Sequence, residues 1–229
     1  MVTYTNGKNQ KAFSWSYSKL KNFKTCGFRY QKIDHEKKYQ EDFTGEHLQW
    51  GKQVHTAFEK RVRDGTPFPK GMEYFEPMVE NLVNASGKIL VEQQLAIRKD
   101  LTACDWFAKD TWFRSIADYL RIDGRVALAI DYKTGKIIED SQQLALIAEC
   151  VFAHYPQVDA VRSEFWWLKD DAATRGDFYR SKRKETWARV LPDVMTLEQA
   201  HLTMNFPPKP SGLCRKHCIV KECKHHGVG

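Results

Sequence analysis

Ile130-Asp131-Tyr132-Lys133-Thr134-Gly135 closes a run of strand formers on a turn. Residues two apart in a strand project from one face, so Asp131 and Lys133 can reach the same reacting group. A carboxylate and an ammonium so placed suit phosphodiester hydrolysis. A divalent cation held by carboxylates activates water and relieves charge on the phosphoryl oxygens, while the lysine positions or deprotonates that water. An Asp-x-Lys triplet alone is more often a surface strand or an ion pair, so its surroundings carry the weight.

Upstream, Ile89 to Ile97, Trp112 to Ile122 and Arg125 to Tyr132 are rich in strand formers, and Asp123-Gly124 supplies a hairpin turn between the last two. Three antiparallel strands are predicted, with Asp118 beside the strand of Asp131. With Asp123-Gly124 as the turn, Asp118 falls near position 129, and a bulge or longer loop is needed to align it with Asp131. Downstream, Ser141 to His154 has helical periodicity, and Asp159 to Leu168 reads as a buried strand.

Before the strands, residues 14 to 30 predict a short N-capped helix ending near Gly27. Leu48, Val54, Phe58 and Val62 predict a helix from Glu46 to Arg63, and Met72 to Val83 predicts another. After them, residues 169 to 181 read as loop or a frayed hairpin, and Lys182 to Met204 as a helix interrupted at Pro192. Helix, strands, helix, strand is the order of an α/β fold with a mixed central sheet flanked by helices.

The chain has 229 residues and a net charge of +7, with 42% hydrophobic and 28% charged residues, the balance of a folded globular protein. One domain is expected: a basic segment 1–45 holding Cys26, a core 46–205 and a Cys/His-rich tail 206–229. No run approaches the roughly 20 apolar residues that cross a bilayer, and the first residues lack a signal peptide's apolar core. A cytoplasmic location, in a bacterial or phage-infected cell, is expected. There six cysteines favour metal ligation or burial over disulfides. Residues 1 to 40 carry Lys8, Lys11, Lys19, Lys21, Lys24, Arg29, Lys32, Lys37 and Lys38 against Asp34 and Glu36, an excess equal to that of the whole chain. Interleaved with Tyr4, Phe13, Trp15, Tyr17, Phe23, Phe28 and Tyr30, they suit a polyanion whose bases stack on exposed rings. A solvated helix face with its aromatics in the core fits equally.

The motifs, in their order, resemble the RecB-like branch of the PD-(D/E)XK nucleases, which includes CRISPR-associated adaptation nucleases and phage exonucleases. Ser14 to Cys26 is similar to the family's S-x-S-x-L-x-x-F-x-x-C element, with altered serine spacing. Gly51 to His55 matches G-x-x-x-H, Asp118 the strand aspartate, Asp131 to Gly135 the D-Y-K-T-G element, and Gln143 to Ala148 the glutamine helix. The resemblance implies Mg²⁺ or Mn²⁺ bound by His55, Asp118, Asp131 and the Tyr132 backbone carbonyl. It further implies that Lys133 serves catalysis and Gln143 orients substrate or Lys133. Glu59, one helical turn past His55, and Glu92, on a strand where the family often has an acid, rank lower. Ile147 stands where the family has tyrosine, and Ser115-Ile116-Ala117-Asp118 lacks the glycine of G-x-I-D. The implied activity is hydrolysis of DNA phosphodiesters by an exonuclease of recombination, repair or phage DNA metabolism. The alternative is an inactive DNA-binding protein of the same fold.

Cys214, Cys218 and Cys223 form C-x3-C-x4-C, and Cys26 offers a fourth thiolate. The resemblance implies a 4Fe-4S cluster joining the chain's two ends. His217, His225 and His226 keep Zn²⁺ open as an alternative, and so are plain thiols. Cys104 and Cys150 read as buried strand and helix residues.

Overall fold

The computed structural model describes residues 12–41, 44–138 and 140–228. Tyr4, Lys8 and Lys11 lie outside them. The elements are β1 (Trp15–Ser16), α1 (Tyr17–Thr25), α2 (Gly27–Tyr30, continued by a wide helical turn through His35), α3 (Glu46–Asp64) and α4 (Glu76–Val83). There follow β2 (Lys88–Ile97), β3 (Ala103–Cys104), β4 (Phe113–Asp123), β5 (Val126–Lys133), α5 (Ser141–His154), β6 (Ala160–Trp167), β7 (Ala172–Tyr179), α6 (Arg183–Thr203) and α7 (Leu213–Lys216).

The strands form one mixed sheet in the order β3-β2-β4-β5-β6-β7, and β1 runs parallel to β4 along the part that β5 does not reach. The three expected antiparallel strands are β2, β4 and β5. The α5 crossover then brings β6 back parallel to β5, the connection that parallel neighbours require. Helices cover both faces. On one, Leu20, Phe113, Leu120, Leu146, Val151, Phe152, Trp187 and Leu197 share a buried cluster. On the other, Val54, Phe58, Phe75 and Val79 pack on Tyr119, Ile130 and Tyr132. The central strand β5 alternates between the two: Ala127 and Ala129 belong to the first cluster, Ile130 and Tyr132 to the second. A strand covered on both sides reads as a continuous apolar run, as VALAI does here.

One expectation is corrected and three are narrowed. The first helix ends at Thr25, near Gly27 as expected, but the break is the extended Cys26, and Gly27 opens α2. A Cβ at Gly27 would lie 2.8 Å from the Pro207 carbonyl oxygen, so this glycine admits the tail rather than stopping a helix. Of the two readings of residues 169–181 the hairpin holds: 172–179 form a regular edge strand antiparallel to β6 rather than a frayed one. Helix α6 runs unbroken through Pro192. Pro192 is exposed, so the lost backbone bond lies on the wet side, and its carbonyl accepts from the Thr196 hydroxyl at 2.9 Å. Between the two readings of the N-terminal aromatics, Phe13, Trp15 and Tyr30 follow the one that puts them in the core. No helix among the described residues is long and apolar enough to cross a membrane.

Leu120 has no exposed surface at the centre of the sheet. Leu120→Ala is expected to cost about 2–5 kcal/mol, read as a lower urea midpoint at unchanged slope. A loss below about 1 kcal/mol contradicts this packing.

Candidate active site

The hairpin between β4 and β5 closes on the pair Asp123 and Val126, one residue later than the sequence suggests. Gly124 takes φ +58 at the first loop position, a conformation glycine adopts without penalty. That shift corrects the register. Tyr119 faces Ile130, so one further step sets Asp118 opposite Asp131 with no bulge.

A second irregularity lies on the other side of Asp118. The β2–β4 ladder runs from Lys88 opposite Ile122 to Ile97 opposite Phe113, and its one skipped position is Glu92 opposite Asp118. Glu92 has φ +49, which costs a non-glycine residue about 1–3 kcal/mol. Here both strands change face. In β4, Phe113 and Ala117 join the α5-side cluster, but two residues after Asp118 so do Leu120 and Ile122. In β2, Leu95 and Ile97 belong to that cluster and Leu90 packs against it. Glu92, Asp118 and Asp131 therefore stand in one row across three strands, at a bend that turns the first two toward α3.

Helix α3 buries Val54, Ala57 and Phe58, and the neighbouring His55 sits at the margin of that face. Its Nδ1 lies 3.4 Å from Asp118 Oδ2. Gly51, one turn earlier, lets α3 approach the strand end, because a Cβ there would lie 2.9 Å from Thr134 Oγ1. One ligand atom each from His55, Glu92 and Asp118 lie within 4.8 Å of one another. Asp118 Oδ2 also accepts the Tyr132 backbone N–H at 2.6 Å, which fixes the carboxylate. A nitrogen with two oxygens, open to a cleft lined by His47, Lys52 and Glu59, fits Mg²⁺ or Mn²⁺.

Asp131 is engaged differently. Lys133 Nζ lies 2.5 Å from its Oδ2, and Gln143 Nε2 donates to its Oδ1 at 3.0 Å. Gln143 Oε1 accepts from Lys133 Nζ at 3.3 Å, and that ammonium stands 4.7 Å from the Phe165 ring centre. The three residues form a closed set at the first turn of α5. Glu59 lines the cleft but pairs with Arg63 at 2.6 Å and is outside the His55–Glu92–Asp118 group. Ile147, in place of the resembled tyrosine, is buried core.

Burial, then the charges of Asp118 and Glu59, raise the Glu92 carboxyl to about 6. Burial and Asp118 push Asp131 up against the pull of Lys133 and His55. For His55 burial acts downward. The hydrogen bond and charge of Asp118, with the charges of Asp131 and Glu92, outweigh it and hold the imidazole above its ordinary value. The acids repel one another and draw in positive charge, as a cation site should.

Where the tail meets the end of α1, Cys26, Cys214, Cys218 and Cys223 line one pocket with Phe28, Val220 and His225. The Lys209 N–H donates to Cys26 Sγ and the Ser211 N–H to Cys214 Sγ, each at 3.4 Å. His217 and His226 are not among the lining residues. Cys150 is buried as expected, whereas Cys104 is half-buried.

A mixed sheet with acids and a lysine gathered between its two helical layers defines the class: a nuclease. The model of the PD-(D/E)XK nuclease superfamily matches residues 14–223, and the chain belongs to that superfamily. The crystal structure of a "putative exonuclease" from Eubacterium rectale is similar at 15% identity and TM-score 0.52, over 92% of this chain and 90% of that one. SSO0001 aligns at 12% identity and TM-score 0.45, over 93% and 86% of the two chains. No curated protein matches.

A raised carboxyl stabilises the fold fully below its unfolded value and loses that contribution as pH rises through its folded value. For Glu92 the window runs from 4.5 to about 6. The lowered His35 and His201 act in the opposite sense, so the useful readout is a difference between two proteins. In EDTA, Glu92→Gln should gain Tm relative to wild type as pH rises through that window, then level off. A Tm difference independent of pH contradicts the charged cluster.

Proposed function

We propose that this nuclease is a divalent-metal-dependent deoxyribonuclease, acting as an exonuclease on single-stranded or end-containing DNA. The observation that carries the reading is the His55–Glu92–Asp118 group set beside the Asp131–Lys133–Gln143 set. His55, Asp118 and Glu92 would hold the cation, with Asp131 and the Tyr132 carbonyl as the further ligands that the family resemblance implies. Glu92 thus rises from a minor candidate to a ligand. Bound there, Mg²⁺ or Mn²⁺ supplies water activation and charge relief at the phosphoryl group.

The chain's own residues do the rest. Lys133 holds an ammonium at the strand end, where it offsets charge growing on the phosphoryl oxygens. Asp131 and Gln143 fix its direction, and Gln143 spans both partners so that neither swings free. The Tyr132 N–H keeps Asp118 aimed toward His55. DNA as substrate is supported by the superfamily and by the lysine-rich α1 region, and the exonuclease mode by the description of the E. rectale neighbour. Work on DNA recombination or repair in the cytoplasm suits this activity.

The four cysteines would hold a 4Fe-4S cluster that staples tail to α1. Tetrahedral zinc, with Zn–S near 2.3 Å, needs donor atoms roughly 4 Å apart. Among the described residues the only such close group is His55–Glu92–Asp118. Four thiols lining one pocket, with backbone N–H groups turned to sulfur, suit a cluster in which each thiolate meets its own iron.

With labelled single- and double-stranded DNA and Mg²⁺ or Mn²⁺, wild type should degrade substrate. Asp131→Asn and Lys133→Ala should each lose at least about 100-fold in rate while still binding. Binding by wild type without cutting any substrate or end type establishes the DNA-binding alternative instead. Anaerobically purified protein should be brown and lose colour in Cys218→Ala; colourless protein with one zinc per chain overturns the cluster.

A further inference from the structure

A second pocket opens between α1 and the first turn of α5. Tyr17, Lys21, Lys24, Gln142 and Lys209 line it, and no acid is among its lining residues. We infer that this pocket holds a backbone phosphate of the same DNA strand whose scissile bond lies at Asp131 and Lys133, and so acts as a positioning subsite. The inference rests on the DNA reading above.

Its place in the fold carries it first. Gln143 faces Asp131 and Lys133, while Gln142, the residue before it, lines the lysine pocket. One rigid helical turn therefore serves both, and a strand gripped in the pocket is held in register with the reacting group. The backbone is polarised the same way. Asp140, at the N-cap position of α5, makes no capping bond; its carboxylate turns instead to the Tyr17 hydroxyl and Lys21. The N–H groups of that turn are left without the usual side-chain cap, at the end of a helix that favours anions.

The charges can be exchanged. Lys21 pairs with Asp140 at 3.2 Å and Lys24 with Asp193 at 2.5 Å, with the lysine side chains 51% and 49% exposed. Ion pairs of lysines this exposed are weak, so a phosphate can compete with the carboxylates for both ammonium groups. Lys209 completes the set from the far end of the chain. Its N–H donates to Cys26 Sγ at 3.4 Å and its Nζ to the Lys24 carbonyl at 3.2 Å. No carboxylate among the described residues pairs with it. The cysteine-rich tail thus delivers the third ammonium to a pocket that neighbours the reacting residues.

The test is fluorescence anisotropy of labelled single-stranded DNA in EDTA across a salt series, with KM and kcat measured in Mn²⁺. The triple variant Lys21→Gln, Lys24→Gln, Lys209→Gln should bind at least tenfold more weakly and lose about 2 from its log–log salt slope, at about 0.7 per contact. KM should rise with kcat within about twofold, the mark of lost ground-state binding. Lys209→Gln alone, which removes one bond to a carbonyl, should weaken binding severalfold at unchanged Tm. The control is Arg125→Gln, in the β4–β5 turn six residues before Asp131 and roughly 20 Å away; it should bind as wild type. If wild type binds and the triple variant matches it, or Arg125→Gln loses as much as Lys209→Gln, the subsite is overturned while the nuclease reading stands. If wild type binds no DNA, both fall.

Discussion

Three carboxylates, Glu92, Asp118 and Asp131, occupy one row of the sheet at a bend, the two aspartates buried, and their repulsion is the constraint around which the rest is arranged. Like charges away from water cannot all ionise unless positive charge is brought to them. The fold supplies it from both faces. Helix α3 delivers His55 to Asp118, and the strand itself delivers Lys133 to Asp131. What remains is a negative cleft whose ligand atoms suit a divalent cation, and that deficit links the architecture to the chemistry of a nuclease.

The geometry depends on backbone irregularities that side-chain packing must sustain. The left-handed Glu92 and the change of face along β2 and β4 are unfavourable alone. They persist because Phe113, Leu120 and Ile122 are locked on one side and Tyr119 on the other. Gly51 and the small residues Ala127 and Ala129 let α3 and α5 come close to the strands, so the site sits between two helices rather than on a loop. Rigid supports of this kind hold reacting groups to the tolerances catalysis needs.

Much of this was legible in the residues. Period 2 against period 3.6 separated strands from helices, and the ordered motifs singled out His55, Asp118, Asp131, Lys133 and Gln143, which the structure gathers. What escaped were the features that no periodicity encodes. The hairpin loop moved by one residue because Gly124 serves equally as its first or second position, and that single step aligned Asp118 with Asp131. Glu92 gave no sign of its positive φ, since glutamate rarely adopts it, and so ranked low until the bend put it beside His55. Residues 172–179 could be read only as loop or frayed hairpin, because an exposed edge strand alternates with little apolar signal. Pro192 read as a breaker because its solvent-facing position on α6 is set by tertiary packing.

A bend in β2 and β4 brings Glu92 beside His55 and Asp118, where the three could hold one cation. Calorimetric titration of Mn²⁺ into metal-free wild type and Glu92→Gln tests it directly. One site is expected, with affinity falling at least about tenfold in Glu92→Gln, or about 1.4 kcal/mol. Equal affinities in the two proteins would contradict it.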